Sequence, residues 1–141
     1  MFTSKNLSSI ARQLFGLILS GVVLVTTNVT SYSNNPDAIV KVRLPEQLSE
    51  GAKQGRKLFE KNCAPCHGKW GGGSANGPPL IHRIYEPNHH SDESFRRAAK
   101  NGVRAHHWPF GNMPPVPKAT FEDVELIIEY IRAVQKENSI F

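Results

Sequence analysis

The sequence predicts an all-α domain, and three observations carry that reading. Three stretches are rich in helix formers with recognisable caps, and glycine and proline dominate the segments between them. Only one short run, Ala38 to Leu44, alternates apolar with charged residues, as an edge strand or an extended arm would.

The first helix is expected to start after Ser49, a suitable N-cap, and to run to the cysteines with Leu58 and Phe59 on its apolar face. Lys69 to Pro79 (KWGGGSANGPP) is expected to be loop, because glycine and proline exclude regular structure there. A second helix is expected over Ser91 to Asn101. Ser91 would cap it, Asp92 and Glu93 suit its positive end, and Gly102 suits the residue after it. Phe95, Ala98 and Ala99 would form its apolar face. Arg104 to Pro117 is a proline-rich loop. The third helix has the clearest pattern. Thr120 and Asp123 resemble a capping box, and Val124, Ile127, Ile128 and Ile131 recur at helical spacing with Tyr130 alongside. Loops this long are uncommon in a compact domain unless they have a function, and wrapping a flat cofactor is one.

The N-terminus reads as a leader. Met1 to Arg12 is polar with Lys5 and Arg12 as its charges, and Leu14 to Val25 is an unbroken run of twelve mostly apolar residues. Such a run fits a signal-peptide core of about 7–15 residues and is shorter than the roughly 17–25 that span a bilayer. Small residues at Val29-Thr30-Ser31 or Ser31-Tyr32-Ser33 offer cleavage sites, and an uncleaved membrane anchor is the alternative. The chain is thus divided into a leader or anchor (1–33), an irregular linker or arm (34–48) and the main domain (49–141). Export to the periplasm is the expectation, with membrane contact only through an uncleaved leader.

The formal net charge is +5, and setting aside Lys5 and Arg12 with the leader leaves +3. That modest excess, with no basic stripe interleaved with aromatics, argues against a nucleic-acid partner.

The chemistry lies in Cys63-Ala64-Pro65-Cys66-His67, a C-x-x-C-H motif of the kind that attaches c-type haem. Two thiols at this gap match the two vinyl groups of haem, and His67 reaches the iron from the same turn. A zinc site would need about four N/S ligands, and the chain has no further cysteine. A thioredoxin-like pair would sit in a βαβ context, whereas this flank reads as helix then loop. A plain disulfide over two residues would be a poor staple. Met113, the one methionine besides the initiator, lies in the rigid stretch Gly111-Asn112-Met113-Pro114-Pro115. A thioether there would close the sixth iron position and raise the reduction potential. Its rivals are a packed loop methionine and bis-histidine ligation. His82, His89, His90, His106 and His107 are numerous for so short a segment, and the His89-His90 and His106-His107 pairs also suit a second metal, or are simply solvated. Arg96, Arg97, Lys100 and Arg104 make a candidate positive face for an acidic redox partner, or a solvated helix side.

With these residues in place, the chain resembles the class I c-type cytochromes over roughly residues 49–137. Gly55 and Phe59 match that family's first-helix pair, Gly77-Pro78-Pro79-Leu80 its stretch after the motif, and Met113-Pro114 its distal loop. The His67-to-Met113 spacing is similar to that of small bacterial members. The resemblance implies terminal helices crossing at Gly55 against the Ile127–Ile131 region, with one covalent haem c on Cys63 and Cys66. It also implies that His67 and Met113 are the iron ligands and that the Pro78 carbonyl accepts a hydrogen bond from His67 Nδ1. The loop from Gly102 to Met113 is longer and more polar than usual, with Trp108 and Arg104 as candidates for the haem edge. The implied function is one-electron transfer between redox partner proteins without substrate chemistry. Membership of a larger oxidoreductase and ligand sensing are the alternatives.

Overall fold

A computed structural model describes residues 37–141, so the leader (1–33) and residues 34–36 lie outside the described residues. Four α-helices follow in order: α1 (Glu50–Asn62), α2 (Ala64–His67), α3 (Asp92–Asn101) and α4 (Phe121–Glu137), with single 3₁₀ turns at Lys69–Gly71 and Arg83–Tyr85. Among the described residues β structure is limited to isolated bridges, two of which pair Ser74 with Gly77 and Val103 with Met113. No helix among them is long and apolar enough to cross a membrane.

Side chains set the helix boundaries. The Ser49 hydroxyl accepts the Ala52 N–H at 3.0 Å, so one of the free donors of α1 is satisfied. At α4 the capping box is complete: Thr120 Oγ1 accepts from the Asp123 N–H, and Asp123 Oδ2 accepts from the Thr120 N–H. Ser91 precedes α3 in an extended conformation, but its side chain makes no capping hydrogen bond. There the acids Asp92 and Glu93 alone favour the first turn.

α1 and α4 cross backbone against backbone. A β-carbon on Gly55 would overlap the Leu126 carbonyl oxygen, so only glycine permits the approach. One turn on, Phe59 packs on Tyr130 with ring centroids 5.6 Å apart. Ile131 and Val134 complete a fully buried layer with them. Burying one such side chain stabilises by about 1.5–3 kcal/mol, which makes this crossing the centre of the core.

The arm before Ser49 belongs to the same core. Val42 is fully buried in it, Val40 N–H donates to the Gly72 carbonyl, and Asn138 grips Arg43. The Asn138 amide accepts from Arg43 N–H at 2.9 Å and donates to Arg43 O at 2.8 Å, as a neighbouring strand would.

Gly55→Val should therefore force α1 and α4 apart. We expect a loss of about 1–3 kcal/mol or more in the denaturant unfolding of the cofactor-loaded protein, with Gly55→Ala milder.

Candidate functional site

The candidate site begins where α1 ends. Cys63 closes α1 and opens α2, its carbonyl accepting from the Cys66 N–H (3.1 Å) and the His67 N–H (2.9 Å). That single turn places both sulfurs and the imidazole together. Gly68 then turns the chain at φ 72°, where a β-carbon would overlap the Gly73 carbonyl oxygen. The return is sealed by the Gly73 N–H donating to His67 O at 2.7 Å.

His67 is buried, with 8% of its surface exposed. Its Nδ1 lies 2.9 Å from the Pro78 carbonyl oxygen. A carbonyl only accepts, so Nδ1 carries the proton and Nε2 keeps its lone pair. Burial lowers the imidazole pKa and outweighs the opposing pull of that hydrogen bond, which favours the neutral, ligand-competent form. Cys63 differs from a catalytic thiol. Burial, helped by the neighbouring Cys66, pushes its pKa up to about 11. A raised value makes Cys63 a poor attacking thiolate.

Met113 is placed by backbone. Its N–H and C=O pair reciprocally with those of Val103 at 2.9 Å each, closing the intervening loop at its neck. Asn112 Oδ1 accepts the Ala105 N–H across the same loop. Trp108 packs edge-on to His82, with centroids 5.2 Å apart.

The donor set fits a porphyrin carrying carboxylates. The indole Nε1 atoms of Trp70 and Trp108 are both buried without a hydrogen-bond partner. The Tyr85 hydroxyl is close enough to Trp108 to be influenced by it, but not in sound bonding geometry. Buried indole donors are costly to leave unpaired, and propionate oxygens would satisfy them. Trp70 also holds a left-handed backbone (φ 59°), a conformation costly for a bulky residue and frequent where function demands it. Cys63, Cys66 and His67 on one turn complete the fit.

The family profile of Cytochrome c matches residues 52–135, more than half of the chain. The chain belongs to the cytochrome c family. No curated protein and no solved structure matches it. Membership brings covalently bound haem c and, in general, electron transfer, on the all-α class I fold.

Two residues of the cytochrome that sequence reasoning missed hold the loop beside the site. Gln135, fully buried, donates through Nε2 to the carbonyls of Leu80 (2.9 Å) and Tyr85 (3.0 Å). Its Oε1 accepts from Arg132, which also donates to Tyr85 O, His90 O and Asp92. The hub role of Arg132 depends on partners some 40 residues away, out of reach of local sequence patterns. Arg96 also departs from expectation. It is committed to Glu125 on α4 and to Glu93, so the exposed cations of that face are Arg97, Lys100 and Arg104.

Replacing Gln135 with the similarly sized Leu leaves the Leu80 carbonyl without its side-chain donor. A loss of about 1–3 kcal/mol is expected in equilibrium unfolding, with hydrogen exchange accelerated over residues 80–90.

Proposed function

We propose that this cytochrome is a periplasmic single-electron carrier with one haem c on Cys63 and Cys66, and with His67 and Met113 as the iron's axial ligands. The observation that carries the reading is the state of His67. It is a buried imidazole tied through Nδ1 to Pro78, with Nε2 free, on the turn that bears both cysteines. Haem c, when bound, supplies a one-electron iron couple held out of water. His67 offers Nε2 in a fixed ring plane, because the Pro78 carbonyl restrains its other nitrogen. Met113 offers a thioether from a loop whose neck is already paired, and thioether ligation favours a high potential. The Trp70 and Trp108 indoles offer donors to propionates. No proton moves and no bond in a substrate is broken, so the protein acts by orientation, exclusion of water and tuning of potential.

The leader-like N-terminus and the habit of cytochrome c domains of working outside the cytoplasm support the periplasmic setting. The exposed Arg97, Lys100 and Arg104 favour redox partner proteins with an acidic docking face.

Protein matured in a haem-competent host should gain the mass of one haem. It should show a low-spin spectrum in both redox states, with the sulfur-to-ferric-iron charge-transfer band. Met113→Ala should abolish that band and let the ferrous protein bind carbon monoxide. A parent protein lacking the band would remove Met113 from the ligand set. Reduction by a small anionic complex should slow as salt rises, and Arg97→Glu with Lys100→Glu should slow it about tenfold at low ionic strength in stopped flow.

A further inference from the structure

Four of the five histidines outside the haem motif converge although they come from two separate segments. His89 and His90 end the turn that precedes α3, while His106 and His107 lie in the loop closed by the Val103–Met113 bridge. Ring centroids of His89 and His90 are 4.7 Å apart, those of His89 and His107 5.1 Å, and those of His90 and His107 5.2 Å. One nitrogen from each of these three residues lies within 4.8 Å of the other two.

We propose that His89, His90 and His107 form a second, surface metal site, specific for a borderline divalent cation such as Cu²⁺ or Zn²⁺. A tetrahedral centre with metal–imidazole bonds of about 2.0–2.1 Å sets its ligand nitrogens about 3.4 Å apart. Closing from within 4.8 Å therefore takes no more than about 1.4 Å of relative movement per pair. His89 and His107 are exposed and free to rotate that far.

His90 is the fixed member. Its Nδ1 lies 2.6 Å from the Ile84 carbonyl oxygen, which only accepts, so the proton sits on Nδ1 and Nε2 is left as donor to a metal. A carbonyl behind the liganding ring is the usual support of a metal-bound histidine. The His90 backbone is held as well, its N–H donating to Glu86 O and its carbonyl accepting from Arg132. His106 Nδ1 instead lies 2.8 Å from its own loop's Arg104 carbonyl, outside the triad.

An all-imidazole set with no thiolate or carboxylate selects copper or zinc over magnesium or calcium, and a fourth position is left for water. Because the ligands come from both segments, occupancy would fasten the loop leading to Met113 onto the turn before α3. The site rests on these side chains and does not depend on which residue closes the iron.

The test uses the haem-loaded, metal-stripped protein titrated calorimetrically with zinc sulfate and with copper chloride. One equivalent should bind saturably, hydrogen exchange over residues 103–113 should slow, and the Cu²⁺ complex should show nitrogen hyperfine splitting from several imidazoles in electron paramagnetic resonance. His89→Ala with His107→Ala should weaken binding by more than about 100-fold while the haem spectrum stays unchanged. If that spectrum shifts, His107→Asn alone, with the same loss of affinity, serves instead. Absence of a one-to-one complex, or a complex these substitutions leave intact, overturns the site.

Discussion

Leu126 offers its backbone carbonyl at the place where residue 55 would otherwise carry a β-carbon, and this contact between two main chains governs the rest of the molecule. Helices that meet through a glycine come closer than side-chain packing alone allows, so the residues one turn along must interlock at short range. Phe59 and Tyr130 do so, with Ile131 and Val134 sealing the layer. The distance from that crossing to the haem motif is short. α1 has one turn left after Gly55 and Phe59 before Cys63 ends it, so the crossing sets the position of the sulfur-bearing turn. Any slip of α1 along α4 would carry Cys63, Cys66 and His67 with it.

α4 also holds the segment from Leu80 to Asp92, by polar means. Gln135 and Arg132 reach out of the helix to four carbonyls or carboxylates between Leu80 and Asp92. Buried loop carbonyls need donors, and a segment without strand or helix partners must find them in side chains. One helix thus holds both the motif, through apolar contact with α1, and the histidine-bearing turn, through hydrogen bonds. Asn138 does the same for the arm at Arg43. The arrangement gives α4 few positions free of structural duty, which accounts for a buried glutamine amid isoleucines and valines.

The sequence was most legible where the determinants are local. The capping box at Thr120, the cap at Ser49, the C-x-x-C-H turn and the glycine one turn from an aromatic are patterns within a few residues, and the elements they mark are present. Ser91 shows the limit even of local reading: the right residue at the right place leaves its hydroxyl out of the cap. Long-range polar contacts were invisible. Arg96 reads as a docking cation until Glu125, 29 residues away, is seen to hold it, and nothing near Gln135 announces its two carbonyl partners. The histidine pairs were conspicuous in the sequence, yet their convergence depends on two loops folding onto one another. The left-handed backbone of Trp70 carries no sequence signal, since glycines crowd the same stretch and would be the expected bearers of positive φ.

The loop between Val103 and Met113 shows why such long irregular segments are tolerable in so small a domain. Closing a flexible loop carries an entropic cost that grows only slowly, by about 0.6 kcal/mol per doubling of length. Extra residues between Val103 and Met113 are therefore cheap once the neck is paired, and the two backbone hydrogen bonds there pair it. Asn112 and Trp108 add fixed points along the excursion. In the proposed ligation, Met113 would then need little further ordering to stay on the iron, because its main chain is held by Val103 whether or not the thioether is bound. Thioethers are weak ligands, and a weak ligand stays bound when leaving gains little conformational freedom. The residues within the neck can vary in polarity without loosening that hold, which leaves His107 free for a role of its own.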